Sequence, residues 1–208
     1  IDLDQDAPVG ESFAAWAGLD DPVIEIAITP NRADCFGVRG VARDLAAAGY
    51  GTLKPLDTSA HEGSFNSPVT WRLDLDGAEH LAPLITGIAF RGVTNGPCPD
   101  WMARRLSAIG QRPISALVDI TNYVMFDLGR PLHAYDIDRI HGNELIVRQA
   151  DGGEPFAALN EKTYEMEAGM ITIADAEGVD DLAGVMGGER TSVSDCTTGM
   201  FLEIAVFD

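Results

Sequence analysis

Basic residues are scarce in this sequence. In 208 residues, 14 Lys and Arg stand against 33 Asp and Glu, which gives a formal net charge of −19. Proteins that bind nucleic acid broadly neutralise its phosphates with Lys and Arg, so this balance argues against extensive phosphate contact. The simplest interpretation is an acidic surface that keeps the protein soluble. Any RNA that the chain contacts would be held by a local basic patch or by other parts of a larger assembly.

Cysteines and long hydrophobic runs are scarce as well. Cys35, Cys98 and Cys196 are odd in number and far apart, which argues against a disulfide framework or a zinc site and favours a reducing cytosol. No run of about 18 apolar residues is present, so we predict no membrane span. The first residues lack a secretion signal and an initiator Met, so we expect a cytoplasmic chain that is part of a longer protein.

Apolar residues make up 46% of the chain, which is enough for a core in one or two domains. No internal repeat is evident. Helical patterns come early and short strands come late, which predicts an α+β fold. We expect mixed or antiparallel sheets with a few helices, arranged as a small N-terminal piece followed by a larger domain.

The N-terminal quarter of the chain predicts a connector, a strand and a helix. Residues 1–22 are acidic and rich in small residues, as in a connector. Residues 23–29, VIEIAIT, alternate apolar and polar side chains, which predicts a half-buried strand. A helix follows, with Asp34 as its N-cap and Gly49 at its end. The polar, turn-rich stretch after it places a domain boundary near residue 57.

Two more helices and a series of short strands are predicted beyond this boundary. One helix has Asp100 as its cap and Gly110 as its end, and the next begins at Pro113 and runs to about Leu128. Strands are predicted for WRLDLDG, APLITGIAFRGV, ELIVRQA, PFAAL, GMITIAD, LAGVMGG and MFLEIAVF. Turn signals such as DGGE and NEKT separate the later strands.

Two polar residues lie near the apolar face of the helix that follows Pro113. Thr121 shares a stripe with Leu117 and Val124, and Asn122 lies next to it. A buried amide without partners costs about 1–3 kcal/mol, so Asn122 should be hydrogen-bonded. Two interpretations stay open: the two side chains satisfy nearby backbone groups, or they point their polar ends into a cavity.

Arg112 and His133 flank the same helix. Arg112 precedes its N-terminus, where the helix dipole disfavours a cation, so a nearby anion or carbonyl would explain the position. His133 follows the rigid Pro131 in the turn after the helix. A histidine in such a turn serves either packing or chemistry, and the sequence pattern leaves both interpretations open.

The glycine-rich segment LAGVMGGE, residues 182–189, lies in a strand context. It lacks the Gly-Lys-Ser/Thr ending and the following helix of a phosphate loop. Its glycines include Gly184 and Gly187. Glycines spaced in this way allow a bulge or the close approach of a ligand to the backbone.

A single carboxylate interrupts the last apolar strand. Glu203 has the parity of Phe201 and Ala205 along that strand. If this face is the core, an ionised Glu203 needs a donor, whereas on an edge strand the same face could point to solvent. No Ser-His-Asp order, HExxH motif or Cys-His cluster identifies a nucleophile. The residues alone therefore predict a polar-lined pocket with a glycine floor.

Three segments, EIAITPNRADCFGVRGVARDLAA, DITNYVMFDLGRPLHAYD and LAGVMGGERTSVSDCTTGMFLEIAVFD, closely resemble bacterial phenylalanine–tRNA ligase beta subunits. The resemblance runs from about residue 20 to the end of the chain. It implies that residues 1–22 are a connector or the tail of an inserted OB-type domain. Residues 23–56 would be the second half of the N-terminal domain, and residues 57–208 an editing domain truncated at its C-terminus. In that family this domain hydrolyses tyrosine wrongly attached to the phenylalanine tRNA.

The resemblance also implies roles for individual residues. Glu203 would accept the tyrosine hydroxyl, and Gly187 would leave room for the amino acid, with Gly184 nearby in the pocket. The residues that would line the aminoacyl-ester end, and orient the terminal adenosine and the attacking water, are Arg112, Thr121, Asn122 and His133.

The implied partners are the alpha subunit, in a heterotetramer of two alpha and two beta subunits, and tRNA(Phe). ATP and magnesium are used by the whole enzyme of that family, in a catalytic centre formed by the alpha subunit. We expect no cofactor or metal site in this chain. An alternative from another class is a module that binds RNA or amino acids without hydrolysis, or a scaffold that joins subunits.

Overall fold

The structure is a computed structural model that describes residue 3 and residues 5–208. The predicted connector at residues 1–22 includes residues 1, 2 and 4, which lie outside the described part. The described helices are α1, Phe13–Trp16; α2, Val38–Ala47; α3, Asp100–Ala108; and α4, Ala116–Leu128. The described strands are β1, Thr70–Asp74; β2, Leu84–Arg91; β3, His133–Asp136; β4, Glu144–Gln149; β5, Glu154–Ala158; β6, Lys162–Met166; β7, Ile171–Ala174; β8, Val179–Leu182; β9, Met186–Gly187; and β10, Gly199–Val206.

Two sheets form the main body, and the strands β5 and β6 form a separate hairpin. The larger sheet has the order β1-β4-β7-β8-β9, with β1 parallel to β4 and the other pairs antiparallel. The smaller sheet is antiparallel, with β10 between β2 and β3. Both sheets contribute to one hydrophobic cluster that includes Tyr135, Leu145, Val147 and Phe201. The predicted α+β class is confirmed.

Three predicted helix starts are wrong. The helix expected from Pro113 begins at Ala116, because Ser115 is extended and Asp119 accepts a hydrogen bond from the Ile114 backbone N–H (2.9 Å). Asp100 is the first residue of α3 rather than its cap. Asp34 does not cap α2; it lies one turn earlier, in the 3-10 helix Pro30–Cys35.

The predicted ends of these helices are correct. Gly129 is the left-handed C-cap of α4, with a φ of 73°, and Gly110 and Gly49 follow α3 and α2 with φ of 81° and 85°. Left-handed backbone favours glycine because it has no Cβ. The α4 end also contacts the N-terminal piece, since a Cβ added at Gly37 would lie 2.2 Å from the Gly129 nitrogen.

The strand predicted at residues 23–29 is wrong. This segment pairs with no strand in the described part of the chain, and all of it except Ile28 is exposed. Alternating apolar residues favour an extended backbone, but a strand also needs a hydrogen-bonded neighbour. The alternating pattern therefore predicts an extended backbone but does not show whether a second strand lies beside it.

Three strands, β3, β6 and β8, were not predicted, and β9 is only two residues long. The β8 strand has the sequence VDDL, and its adjacent acidic residues indicate a loop by composition. Asp180 and Asp181 are nevertheless 0% and 4% exposed. Arg190 and the Gly188 backbone, ten and seven residues later in the chain, and the Tyr135 hydroxyl, 46 residues earlier, are their partners. The composition of VDDL alone does not show these contacts.

Candidate functional site

A cavity of about 340 Å³ opens where the two sheets meet. The turn after α4, the start of β3, the end of β10 and the segment from β8 to β9 form its walls. Four residues proposed from the sequence line it together: His133, Gly184, Gly187 and Glu203. Long-range pairing of strands brings these residues into one place, because β3 and β10 are separated by more than sixty residues.

Glu203 is buried on the inner face of β10. Its side of the strand includes Phe201, which is 1% exposed, so this face is the core and the solvent-facing alternative is wrong. Within the described residues, Glu203 Oε1 is buried without a hydrogen-bond partner. Burial raises the pKa of Glu203 to about 7; the charge of Asp181 adds to the shift and that of Arg130 opposes it. A buried carboxylate oxygen that lacks a donor is suited to bind a ligand donor.

His133 lies opposite Glu203 in the antiparallel ladder of β3 and β10. Directly opposed residues project from the same face of a sheet, so both side chains reach the cavity. His133 Nε2 is buried without a hydrogen bond among the described residues, although it lies 3.5 Å from Asp181 Oδ1. The imidazole packs edge-on against Tyr135, with ring centroids 4.5 Å apart.

Asp181 is a cavity residue that the sequence analysis missed. Its Oδ1 accepts the Gly188 backbone N–H (3.0 Å), and its Oδ2 accepts a short hydrogen bond from the Tyr135 hydroxyl. Burial raises the pKa of Tyr135, which keeps the hydroxyl protonated as a donor. The acidic pair inside VDDL was the available signal.

Arg130 also lines the cavity and was missed as a site residue. Its guanidinium donates a hydrogen bond to the Ala205 backbone carbonyl. This contact ties the turn after α4 to the end of β10 and places a cation at the cavity wall.

The glycines of the cavity are packed tightly. A Cβ added at Gly187 would lie 2.4 Å from His133 Cε1 and 3.0 Å from a Leu159 methyl carbon. Gly184 has a φ of 70°, and a Cβ there would lie 2.9 Å from the Phe207 ring. Both positions therefore exclude larger residues through backbone conformation or close approach.

Three residues proposed from the sequence do not line this cavity. Thr121 donates a hydrogen bond to the Val118 carbonyl (2.7 Å), which is the backbone-satisfying alternative. Asn122 is half-buried and Arg112 is exposed, and within the described part of the chain neither side chain makes a hydrogen bond or an ion pair. Their ester-orienting roles stay predictions.

Asp34, Cys35 and Asp44 are grouped closely enough to ligate a metal ion. The guanidinium of Arg32 fills this position instead, at 3.0 Å from Asp34, 2.8 Å from Cys35 Sγ and 2.5 Å from Asp44. The pKa of Asp34 is lowered to about 2 by these contacts. This cluster is a set of ion pairs that holds the 3-10 helix against α2.

None of the helices in the described part of the chain has the length and apolar character needed to cross a membrane.

The chain belongs to the B3/4 domain family, whose model matches residues 81–208. It is 54% identical over its whole length to a phenylalanine–tRNA ligase beta subunit of Brucella abortus and 52% identical to that of Zymomonas mobilis. It covers 26% of each of these relatives, so the chain spans about a quarter of their length. The resemblance recognised in the sequence is confirmed.

A solved structure has a similar fold. It is an N-terminal fragment of the phenylalanyl-tRNA synthetase beta subunit from Pyrococcus horikoshii, with a TM-score of 0.50. The match covers 95% of this chain and 64% of that one at 17% identity, a level at which it shows the fold alone.

Proposed function

We propose that this chain is the editing region of a phenylalanine–tRNA ligase beta subunit, which hydrolyses tyrosine wrongly attached to tRNA(Phe). The observation that carries the proposal is the cavity in which Glu203, whose Oε1 has no hydrogen-bond partner among the described residues, lies opposite His133. Identity above 50% to subunits of that name supports the same function.

The chemistry explains why a second pocket is needed. A hydrophobic pocket shaped for Phe rejects the analogue with one added hydroxyl by only about a hundredfold. A pocket with a polar group for that hydroxyl prefers Tyr over Phe. When Phe binds, the polar group is left without a hydrogen-bond partner, which costs about 1–3 kcal/mol. In this proposal Glu203 binds the tyrosine hydroxyl.

Hydrolysis requires an oriented water. The water oxygen attacks the ester carbonyl, the bond to the ribose oxygen breaks, and that oxygen leaves with a proton. We assign His133 to the water, since its ring borders the cavity next to the glycine segment. An aminoacyl ester is already activated, so holding a water in attack geometry supplies much of the acceleration. No metal takes part in this route.

The rest of the assembly is part of the same proposal. The alpha subunit would carry ATP- and magnesium-dependent attachment of phenylalanine, and a heterotetramer of two alpha and two beta subunits would bind tRNA(Phe) in the cytoplasm. The net charge of −19 supports tRNA binding by the assembly as a whole, because this chain offers few cations for tRNA phosphates.

The experiment is release of tyrosine from Tyr-tRNA(Phe) by the assembled enzyme. We expect His133→Ala to lower the rate at least about tenfold, as for loss of a group that orients or activates water. His61→Ala is the matched control, because His61 is exposed and does not line the cavity. Equal rates for the two variants would favour the scaffold, and no tyrosine release by the unsubstituted enzyme would favour the binding module.

A further inference from the structure

Asp181 makes contacts beyond those that strand pairing requires. The Tyr135 hydroxyl and the Gly188 N–H hold its two oxygens in place, one on each. Oδ1, the oxygen that accepts from Gly188, is also the one 3.5 Å from His133 Nε2. The carboxylate is thus fixed beside the Nε2 edge of the imidazole, at a wall of the cavity that both residues line.

This arrangement determines which imidazole nitrogen is available. A carboxylate has only acceptor oxygens, so it favours a proton on the neighbouring nitrogen, Nε2. Nδ1 lies toward Gly187 of the cavity lining, since a Cβ added at Gly187 would lie 3.0 Å from it. With the proton on Nε2, Nδ1 keeps a free lone pair. An acid that orients a histidine through its other nitrogen is a recurrent arrangement in hydrolytic sites.

We infer that Asp181 is a positioning residue that fixes the tautomer of His133, with Tyr135 and the Gly188 backbone holding Asp181. This inference rests on the proposed function. His133 Nδ1 would accept the proton of the attacking water, and the imidazolium would return it to the departing ribose oxygen. The products are tyrosine and tRNA with a free hydroxyl, so the protons balance. The two Asp181 oxygens are engaged by Tyr135 and Gly188, so the carboxylate acts through the imidazole and stabilises the imidazolium that forms.

Asp180 provides an internal comparison. It lies next to Asp181 and is equally buried, but adjacent residues of a strand point to opposite faces. Its Oδ1 accepts a 2.6 Å hydrogen bond from Arg190. Asp180→Asn therefore removes a buried charge of the same kind without touching the histidine.

The first test is the tautomer itself, measured by ¹⁵N NMR of the imidazoles at a pH where the rings are neutral. The chain has four histidines, and His133→Gln assigns the signal. We expect a proton on Nε2 in the unsubstituted protein and a mixture of tautomers in Asp181→Ala. A proton mainly on Nδ1 in the unsubstituted protein overturns the inference, even if Asp181→Ala fails to fold. An unchanged tautomer in folded Asp181→Ala overturns it as well.

The second test is kinetic and uses Asp181→Asn, which retains an acceptor for Gly188 but not the charge. We expect kcat for tyrosine release to fall by about ten- to a hundredfold while KM changes by less than about twofold. Asp180→Asn should keep the original kcat. If Asp181→Asn matches Asp180→Asn, the inference is wrong while the proposed function stands. If the unsubstituted enzyme releases no tyrosine, the proposed function is wrong, and the tautomer then decides the role of Asp181.

Discussion

At the residue scale, burial dominates the electrostatics of two acidic side chains, Asp180 and Glu203. Asp180 accepts a 2.6 Å hydrogen bond from Arg190, yet its pKa is raised to about 7, because burial outweighs that cation and the carboxylates of Asp175 and Asp181 add to the shift. Glu203 has a pKa of about 7 for the same main reason. Removing a carboxylate from water disfavours its charged form.

The pKa of Glu203 makes the stability of the protein pH-dependent. Since the folded pKa of Glu203 is about 7 and the ordinary pKa of a glutamic acid is 4.5, the ionised form is less favourable in the folded state. The free energy of unfolding should therefore fall as pH rises from about 4 to 8, by on the order of 3 kcal/mol for this group.

Glu203→Gln removes that dependence. The free energy of unfolding of Glu203→Gln, relative to that of the unsubstituted protein, should rise by about 3 kcal/mol between pH 4 and pH 8. A change in packing that does not depend on pH leaves this rise unaltered. Urea unfolding at the two pH values measures the difference, and Glu165→Gln, on the exposed face of β6, is the control. A constant difference between Glu203→Gln and the unsubstituted protein would show that Glu203 is well hydrated.

Gly187 controls the position of the histidine ring. The Cβ of Gly187→Ala would lie 2.4 Å from His133 Cε1, so the imidazole must move away from its place beside Asp181. We expect tyrosine release to fall at least about tenfold, because misplacement by about 1 Å costs up to a hundredfold in rate. Gly51→Ala is the control, since a Cβ there meets no atom within 4 Å. Full activity of Gly187→Ala would contradict this packing.

At the element scale, the helix ends were predicted more accurately than the helix starts. Gly129, Gly110 and Gly49 end helices through a property of glycine itself, which the sequence displays directly. Asp34 has the residue type of an N-cap but bonds Arg32 and Arg43 instead. Competition between a cap and an ion pair depends on geometry that the sequence does not contain.

The start of α2 tests a conflict between helix propensity and packing. Replacing a helical Gly by Ala normally stabilises by about 1 kcal/mol. At Gly40, however, a Cβ would lie 1.8 Å from the Asp34 carbonyl oxygen, a clash with backbone that cannot rotate away. We expect Gly40→Ala to lower the free energy of unfolding by about 1–3 kcal/mol, as overpacking does.

Chemical denaturation of Gly40→Ala beside Gly51→Ala measures this effect. The Gly51 variant should remain within about 0.5 kcal/mol of the original stability, since it meets no neighbouring atom. A stabilised Gly40→Ala would mean that propensity outweighs the contact between α2 and the 3-10 helix.

At the scale of the whole molecule, the cavity joins residues from both sheets. Asp181 comes from the larger sheet, whereas His133 and Glu203 come from the smaller one. Strand parity drew attention to Glu203 and the turn after the helix to His133, but the patterns left both residues with open alternatives, and the resemblance supplied their roles. The acidic pair in VDDL was a signal for Asp181, but its place beside His133 comes from a contact distant in sequence, as does the contact of Arg130 with Ala205. Arg112, Thr121 and Asn122 were proposed by resemblance, and the cavity does not include them.

The central claim is that the buried carboxylate of Glu203 selects tyrosine, and the most direct measurement is the ratio of kcat/KM for Tyr-tRNA(Phe) over Phe-tRNA(Phe). We expect Glu203→Ala to lower this ratio at least about tenfold, because the hydroxyl loses its partner. Glu189→Ala removes an exposed carboxylate close to the glycine segment and should leave the ratio unchanged. If the Glu203→Ala enzyme still prefers tyrosine as strongly as the Glu189→Ala enzyme, Glu203 does not recognise the hydroxyl.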